Sequence, residues 1–548
     1  MSRIPAAPSP YECAPEERPL FPGSPYSPMH TGRRRIAYVL VAVMMALTAT
    51  LGNALVTVNL PNLTGALGVY TVEAGLLPAA YVAMNACANL LLIKARQQFG
   101  IPAITHTLLI VYAAASLAQL VLPGFGMALL VRGISGMTSA GLTTMTIYAL
   151  LQAVPPDKRA AALVVGISLG QFGPVLARLV PVEMLALGGW HGLHLIEAGL
   201  ALASLAALLA IPLPPSDRSP AFEGLDFVTI ALAVPGISLL CAVLGVGRLA
   251  WWTDTPWLGV ALAAALPMLA AALMIEHHRA RPLFHTRWVA TRDIMRFAIA
   301  AVLLRLALAE QTYGTVGFLT SMGLTNDQLR GLFAVVLLAM VAGLAATLLT
   351  LTPDRIAYLV ITAALLIALG AWLDSHANDL TRPAQLFVSQ ALIGFGTMLF
   401  IGPALAYGFL RMLEQGPSHI VTFIVLFSTT QNIGGLAGSA LLGSYQVESA
   451  RAHAVALAER TLPSDPIVAA RIQAGAQAVS SALPDPGARQ AHGAGALGQA
   501  LAREANVLAF NDVFRLVAIV AVLAALYLAY IRIFNVIQRR RAAQGAPS

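Results

Sequence analysis

Residues 33–58 read RRRIAYVLVAVMMALTATLGNALVTV, three arginines followed by a run free of charge from Ile36 to Val58. A helix rising 1.5 Å per residue over that run is long enough to cross a hydrocarbon core of about 30 Å. Working outward, the same pattern recurs to the end of the chain. Fourteen such stretches are read at 36–58, 74–94, 102–122, 126–153, 159–182, 191–212, 226–246, 257–276, 294–319, 329–351, 356–374, 384–412, 419–445 and 512–535. Gly124–Gly126 separates the third from the fourth with little polar signal, and Arg296, Arg305 and Glu310 dilute the ninth. Hydrophobic residues make up 58% of the chain, charged residues 11%, and mean hydropathy is +0.75. A soluble domain carries about 25% charged residues, so this chain uses lipid as its solvent. Backbone polar groups in lipid need partners within their own segment, so the spans are expected to be helices and the fold all-α and polytopic.

Basic residues set the orientation. Arg33, Arg34 and Arg35 precede the first span; Lys94 and Arg96 follow the second; Lys158 and Arg159 follow the fourth; Arg279, Arg281 and Arg287 follow the eighth; Arg539, Arg540 and Arg541 come near the end. The segments 62–73 and 183–190 hold no Lys or Arg. An even number of spans then puts both termini on the cytoplasmic face, as in a bacterial inner membrane. The net charge of +8 is mostly this topology, which excludes a nucleic-acid binder. Cys13, Cys87 and Cys241 are scattered, so neither a disulfide framework nor a metal site is expected.

The organisation expected is a disordered tail at 1–32, lacking the order of a cleavable signal; a six-helix bundle at 33–212; two additional helices and a linker at 213–290; the second bundle at 291–445; an outer loop at 446–511; and a last helix with a basic tail at 512–548. Ala450–Arg460 and Ile467–Leu483 in the outer loop read as surface helices separated by turns. That loop is either a solvated cap or a docking surface for a partner such as a periplasmic adaptor protein. Small residues recur at Gly133, Gly136 and Ala140, at Gly166, Gly170 and Gly173, and in the other half at Gly394 and Gly396 and at Gly434, Gly435 and Gly438. Such spacing lets helices approach closely, and repeated halves are how many secondary transporters are built.

Four stretches carry a resemblance. Leu51-Gly52-Asn53-Ala54-Leu55-Val56-Thr57-Val58-Asn59-Leu60-Pro61 lies in and just after the first span, Arg132–Ala140 in the fourth and Gly170-Gln171-Phe172-Gly173-Pro174 in the fifth; Asn506–Phe514 closes the long loop. Together they make the chain resemble the major facilitator superfamily, in its fourteen-helix drug:proton antiporter branch. The resemblance implies two pseudo-symmetric six-helix bundles with two extra central helices, multidrug efflux by antiport, and a conformational motif at Gly166, Gly170, Gly173, Pro174, Gly434 and Gly435. It also implies that the first, fourth, ninth and twelfth spans line a central cavity. The chain departs from the branch in three places. The first-helix Asp of the family falls on Gly52; the loop 92–100 lacks the usual Asp of a cytoplasmic latch; and Ala177-Arg178 stands where a Gly-Gly pair closes the fifth-helix motif.

Ionisable side chains inside a span cost roughly 2.5–3.5 kcal/mol to insert, so they face a cavity or a partner. Arg132, at the motif position, is either a structural anchor or a charge acting on a proton site. Arg305 and Glu310, with Gln311 and Tyr313, share the ninth span, and five positions turn the helix by about 140° net, so the two charges face different surroundings. Glu310 is the expected replacement for the absent first-helix carboxylate. Asn53 and Gln390 are the uncharged polar candidates for the cavity; Asn59, Gln431 and Asn432 are expected to bond between helices, as are Asn85 and Asn89. There is no phosphate-binding loop, dinucleotide loop or zinc-protease motif, so no cofactor and no enzymatic activity are expected. The expectation is export of small amphipathic compounds, driven by protons. A dedicated metabolite exporter or facilitator is one alternative, and a non-transporting membrane partner or sensor another.

Overall fold

A computed structural model describes residues 17, 19, 23–280, 282–415, 419–462 and 464–544. Apart from one isolated β-bridge, the regular structure among them is helical. Helix α1 (Gly32–Val58) turns at Asn59 into short α2 (Leu60–Leu67) and α3 (Thr71–Ala74), which lead into α4 (Leu76–Phe99). Gly100, at φ 89°, turns the chain into α5 (Ile101–Val121); a left-handed glycine and a proline in the next first turn make this reversal without a steric penalty. After α6 (Phe125–Ala153) the expected fifth span comes in two pieces, α7 (Arg159–Leu169) and α8 (Phe172–Leu179), bent by 42°. Helix α9 (Val182–Ala210) is interrupted at Leu187–Trp190, where three successive residues have positive φ. Helices α10 (Gly224–Ala250) and α11 (Pro256–His278) follow, then short α12 (Thr286–Val289). The expected ninth span is broken too: α13 (Arg292–Ala307) and α14 (Thr315–Ser321) flank a π-helical turn at Glu310–Gly314. The rest is α15 (Arg330–Thr350), α16 (Ile356–Asp374), α17 (Phe387–Gln415), α18 (Ile420–Arg460), α19 (Pro466–Ala478) and α20 (Pro486–Gln544).

Among the described residues, eleven helices are long and apolar enough to cross a membrane, and the bent α7–α8 pair makes twelve. The protein is a multi-pass membrane protein. The expected spans 294–319 and 419–445 fall on the broken α13–α14 segment and on α18, which lie outside that number. Apolar side chains point outward where lipid would be, as with Val260, Leu266, Leu273 and Met274 on α11.

One hydrophobic core joins α1, α5, α6 and α9 around Tyr38, Met45, Tyr112 and Met145. A second joins α13, α16, α17, α18 and α20 around Leu304, Ile367, Phe400 and Val517. Between them α4 meets α18, α7 meets α17, and α8 meets α15. Helices α10 and α11 pack on each other, and α10 lies against α4 and α18.

Two regions are more ordered than their composition predicts. From Gly23 the tail is held: Tyr26 Oη donates to Asp217 (2.9 Å), Gln152 Nε2 donates to the Tyr26 carbonyl (2.9 Å), and His30 meets Gln152 (3.0 Å). In the segment 446–511 the expected helices at 450–460 and from 467 are present, but they are not all separate pieces. Helices α18 and α20 run on into it, and α19 lies against α20. Its Ala, Gln, Arg and Glu are strong helix formers, and Pro466 and Pro486 occupy helix starts, where a missing N–H is harmless.

Candidate functional site

Three groups of polar side chains interrupt the apolar interior. The first is built on α6 and α9. Arg132 is buried and forms an ion pair through Nη2 with Glu197 Oε1, itself fully buried. Tyr112 Oη donates to the same oxygen (3.3 Å), and His194 Nδ1 lies 3.3 Å from Oε2. Gly52 of α1 stands against this pair: a Cβ there would lie 2.5 Å from Tyr112 Oη and 2.9 Å from Glu197 Oε1. The volume of a first-helix side chain is therefore taken by a carboxylate reaching in from α9. Sequence reading expects Glu310 to take over the coupling role of the absent carboxylate; the acid that stands beside Gly52 in space is Glu197. A signal for it existed, since Glu197 is the one acidic residue in 191–212. Asn53, next along α1, is partly exposed, and its Oδ1 has no partner.

The second group gathers where the π turn, α16 and α17 meet. Glu310, Asp374, Gln390 and Thr315 are all essentially inaccessible. Gln390 Nε2 stands 3.1 and 3.2 Å from the two Glu310 oxygens, 2.7 Å from Thr315 Oγ1 and 2.7 Å from Asp374 Oδ2. Thr315 Oγ1 donates to Glu310 (2.5 Å), and Gln311 Nε2 approaches Gln390 Oε1 (3.4 Å). An amide nitrogen carries two hydrogens, and here it faces four oxygens. No ion pair among the described residues includes either carboxylate. Asp374, absent from the sequence expectations, closes a span and reads there as a polar boundary. A π turn inside a helix is a frequent mark of a functional position.

The third group faces α18 from the other side of the ninth span. Arg305 Nε donates to the Gln431 carbonyl (2.8 Å). Tyr313 also meets α18, further along it: the guanidinium of Arg248 sits over the Tyr313 ring at 5.1 Å, and Tyr313 Oη is 3.4 Å from Gln446. The sequence-predicted candidates thus fall into separate places. Glu310, Gln311 and Gln390 are brought together; Arg132 lies with Glu197, Arg305 with Gln431, and Tyr313 with Arg248.

The glycine motifs mark close approaches. A Cβ on Gly166 would meet Ile147 of α6 at 2.9 Å, and one on Gly173 would collide with Thr50 of α1. Gly170 sits at the α7–α8 bend, and exposed Pro174 lies in the first turn of α8. Gly434 and Gly435 face Arg305. Arg178 does not pair with Glu183. It donates to Asn326 (3.0 Å) and stacks on Phe333 (4.9 Å), while Glu183 faces Arg330 (3.7 Å).

The stretch 92–100 lacks the expected carboxylate, and its basic residue Lys94 finds one on another helix. Lys94 pairs with Asp226 at the start of α10 (2.7 Å), and Asp226 is shared with Arg279 (2.8 Å), which also holds Glu276 and Glu223. Burial opposes charge on Arg279, but the three carboxylates outweigh it and hold the guanidinium charged well above its ordinary range. Asn85 and Asn89 bond across the α4–α18 contact as expected: Asn432 Nδ2 donates to Asn85 (2.9 Å) and Asn89 Nδ2 to Ser428 (2.9 Å). Among the described residues no cluster of His, Cys, Asp or Glu could hold a metal ion.

A multi-pass helical protein with charged side chains gathered inside its apolar interior has the build of a membrane transporter. The family model "Major Facilitator Superfamily" matches residues 42–439, and the chain belongs to that superfamily. Comparison with curated proteins yields no match. Among solved structures, the proton:xylose symporter XylE bound to 6-bromo-6-deoxy-D-glucose is similar with a TM-score of 0.53 at 13% identity, covering 91% of this chain and 96% of that one. The human organic anion transporter MFSD10 (TETRAN) is similar with a TM-score of 0.51 at 15% identity, covering 90% of this chain and 100% of that one. At these identities the likeness is one of fold.

Proposed function

We propose that the protein is a secondary active transporter that exports small amphipathic compounds by proton antiport, built on the fourteen-helix plan of the drug:proton antiporter branch. In this reading the broken α13–α14 segment and α18 are the ninth and thirteenth spans and bring the number to fourteen, α10 and α11 are the two extra central helices between six-helix bundles, and both termini face the cytoplasm of a bacterial inner membrane. The outward extension of α18–α20 suits it to meet an adaptor protein.

The observation that carries the reading is the Glu310–Gln390–Asp374 cluster. Two buried carboxylates compete for one amide, with no cation among the described residues paired to either. A proton held on the pair supplies the donor that the four oxygens lack. Losing it leaves two negative charges sharing one amide and one hydroxyl, which favours moving the π turn away from α16 and α17. Proton exchange and helix movement are linked in this way. The π turn gives the ninth span a place to bend without breaking its flanking helices.

The test is substrate flux in proteoliposomes with and without an imposed pH gradient. Glu310→Gln mimics the protonated acid; it is expected to bind substrate and to lose gradient-driven transport by about tenfold or more. Full gradient-driven transport by that variant would move the coupling group elsewhere. A second reading, a metabolite exporter or facilitator without proton coupling, is favoured by Gly52: the first-helix acid is absent, and the neighbouring Glu197 is tied up by Arg132. Wild-type flux indifferent to the gradient would decide for it.

A further inference from the structure

We propose that Arg305 of α13, with Gln431 of α18, seats the anionic group of the transported compound, so that the substrates are amphipathic organic anions; this rests on reading the interior as a transport path. Arg305 lies in the middle of the expected ninth span and is partly accessible. Its Nε is used by the Gln431 carbonyl, but neither Nη has a hydrogen-bond or carboxylate partner among the described residues. The side-chain amide of Gln431 is buried, 8% exposed, and neither its Nε2 nor its Oε1 has a partner. A cation with free Nη groups, and an unmet amide on the very residue whose carbonyl it holds, are costly in a membrane span unless something satisfies them.

Four acids of the neighbouring elements are engaged elsewhere. Glu310 is held by Thr315 and Gln390, Asp293 faces Arg411 (3.9 Å), Asp512 is held by Ser449 and His453, and Glu448 faces Arg451 (3.6 Å). None supplies the missing charge. Helix α18 also presents bare backbone to the guanidinium: a Cβ on Gly435 would stand 2.7 Å from Nη2. The fork of Nη hydrogens matches a planar carboxylate, and the unpartnered Gln431 Nε2 would be the second donor to the same group. A cationic compound would meet repulsion at this point.

The test uses wild-type protein and variants in liposomes of zwitterionic lipid, with three matched probes: a naphthalene carboxylate, its neutral methyl ester and the corresponding naphthylmethylammonium. Binding is read by tryptophan fluorescence and flux by labelled probe. The carboxylate is expected to bind most tightly. Arg305→Gln should weaken it by about tenfold or more, with no change for the ester. Arg305→Lys should restore part of the loss, and Gln431→Leu should weaken the carboxylate alone. Equal binding of carboxylate and ester, indifference to Arg305→Gln, or no binding of any probe would overturn the assignment. Flux of ester or ammonium without carboxylate does so too, while leaving the transport reading intact. Conversely, Arg305-dependent carboxylate binding without flux of any probe would keep the anion seat and sink the transport reading.

Discussion

Gly52 shows how one missing side chain is compensated from another helix. A methyl at that position would press on Tyr112 and Glu197, so Gly52→Ala should destabilise the protein by about 1–3 kcal/mol. Glu197→Ala should be worse, about 3–5 kcal/mol, because it strands the buried Arg132 guanidinium. Moving the carboxylate back, with Gly52→Asp and Glu197→Ala together, should recover much of what Gly52→Asp and Glu197→Ala each lose alone. Thermal unfolding of the four proteins in detergent measures this cycle, and simple additivity of the two single effects would show that the carboxylate has not been relocated. The sequence made the absence at 52 legible, since the flanking motif fixes the position. It did not reveal the replacement, because a contact 145 positions away follows no helical spacing and a hydropathy window averages a lone acid away. Arg132 was legible by motif, whereas its partner was not.

At the scale of elements, helix breaks carry more information than helix lengths. The ninth span was legible as a diluted apolar run, but its π turn was not, since nothing in Glu310–Gly314 separates a π turn from ordinary helix by composition. The bend at Gly170 was foreshadowed by its glycines and proline. In the outer extension, alanine-rich runs were read as helices, yet their continuity with the spans was missed because the membrane boundary leaves no mark on a helix that continues through it. The extension depends on a close crossing of α19 and α20. A Cβ on Gly493 would collide with the Ile472 carbonyl and lie 3.0 Å from Ala476 N. Gly493→Val should therefore release α19. Amide exchange across 466–478 should rise by about tenfold or more while the membrane spans stay protected, and unchanged exchange there would mean α19 is held by other contacts.

At the scale of the molecule, the two cores meet along few lines, and α4–α18 is one that carries a polar bridge. If transport requires the cores to move against each other, tying this line should stop it. Asn89→Cys with Ser428→Cys, joined by a short thiol crosslinker, should lose transport while each single variant keeps it; undiminished flux through the crosslinked protein would show that the bridge does not open. Helix α20 adds a mechanical consequence. At 59 residues and 1.5 Å per residue it is a single rod of about 88 Å, reaching from the outer extension through the second core towards the basic end. In the proposed topology such a rod is a lever with its N-terminal arm on the outer side of the bilayer. Tilting it by about 10° around its midpoint carries each tip some 8 Å, so anything that grips the outer arm acts as a brake on the inner one, with no need to touch the charges buried between them.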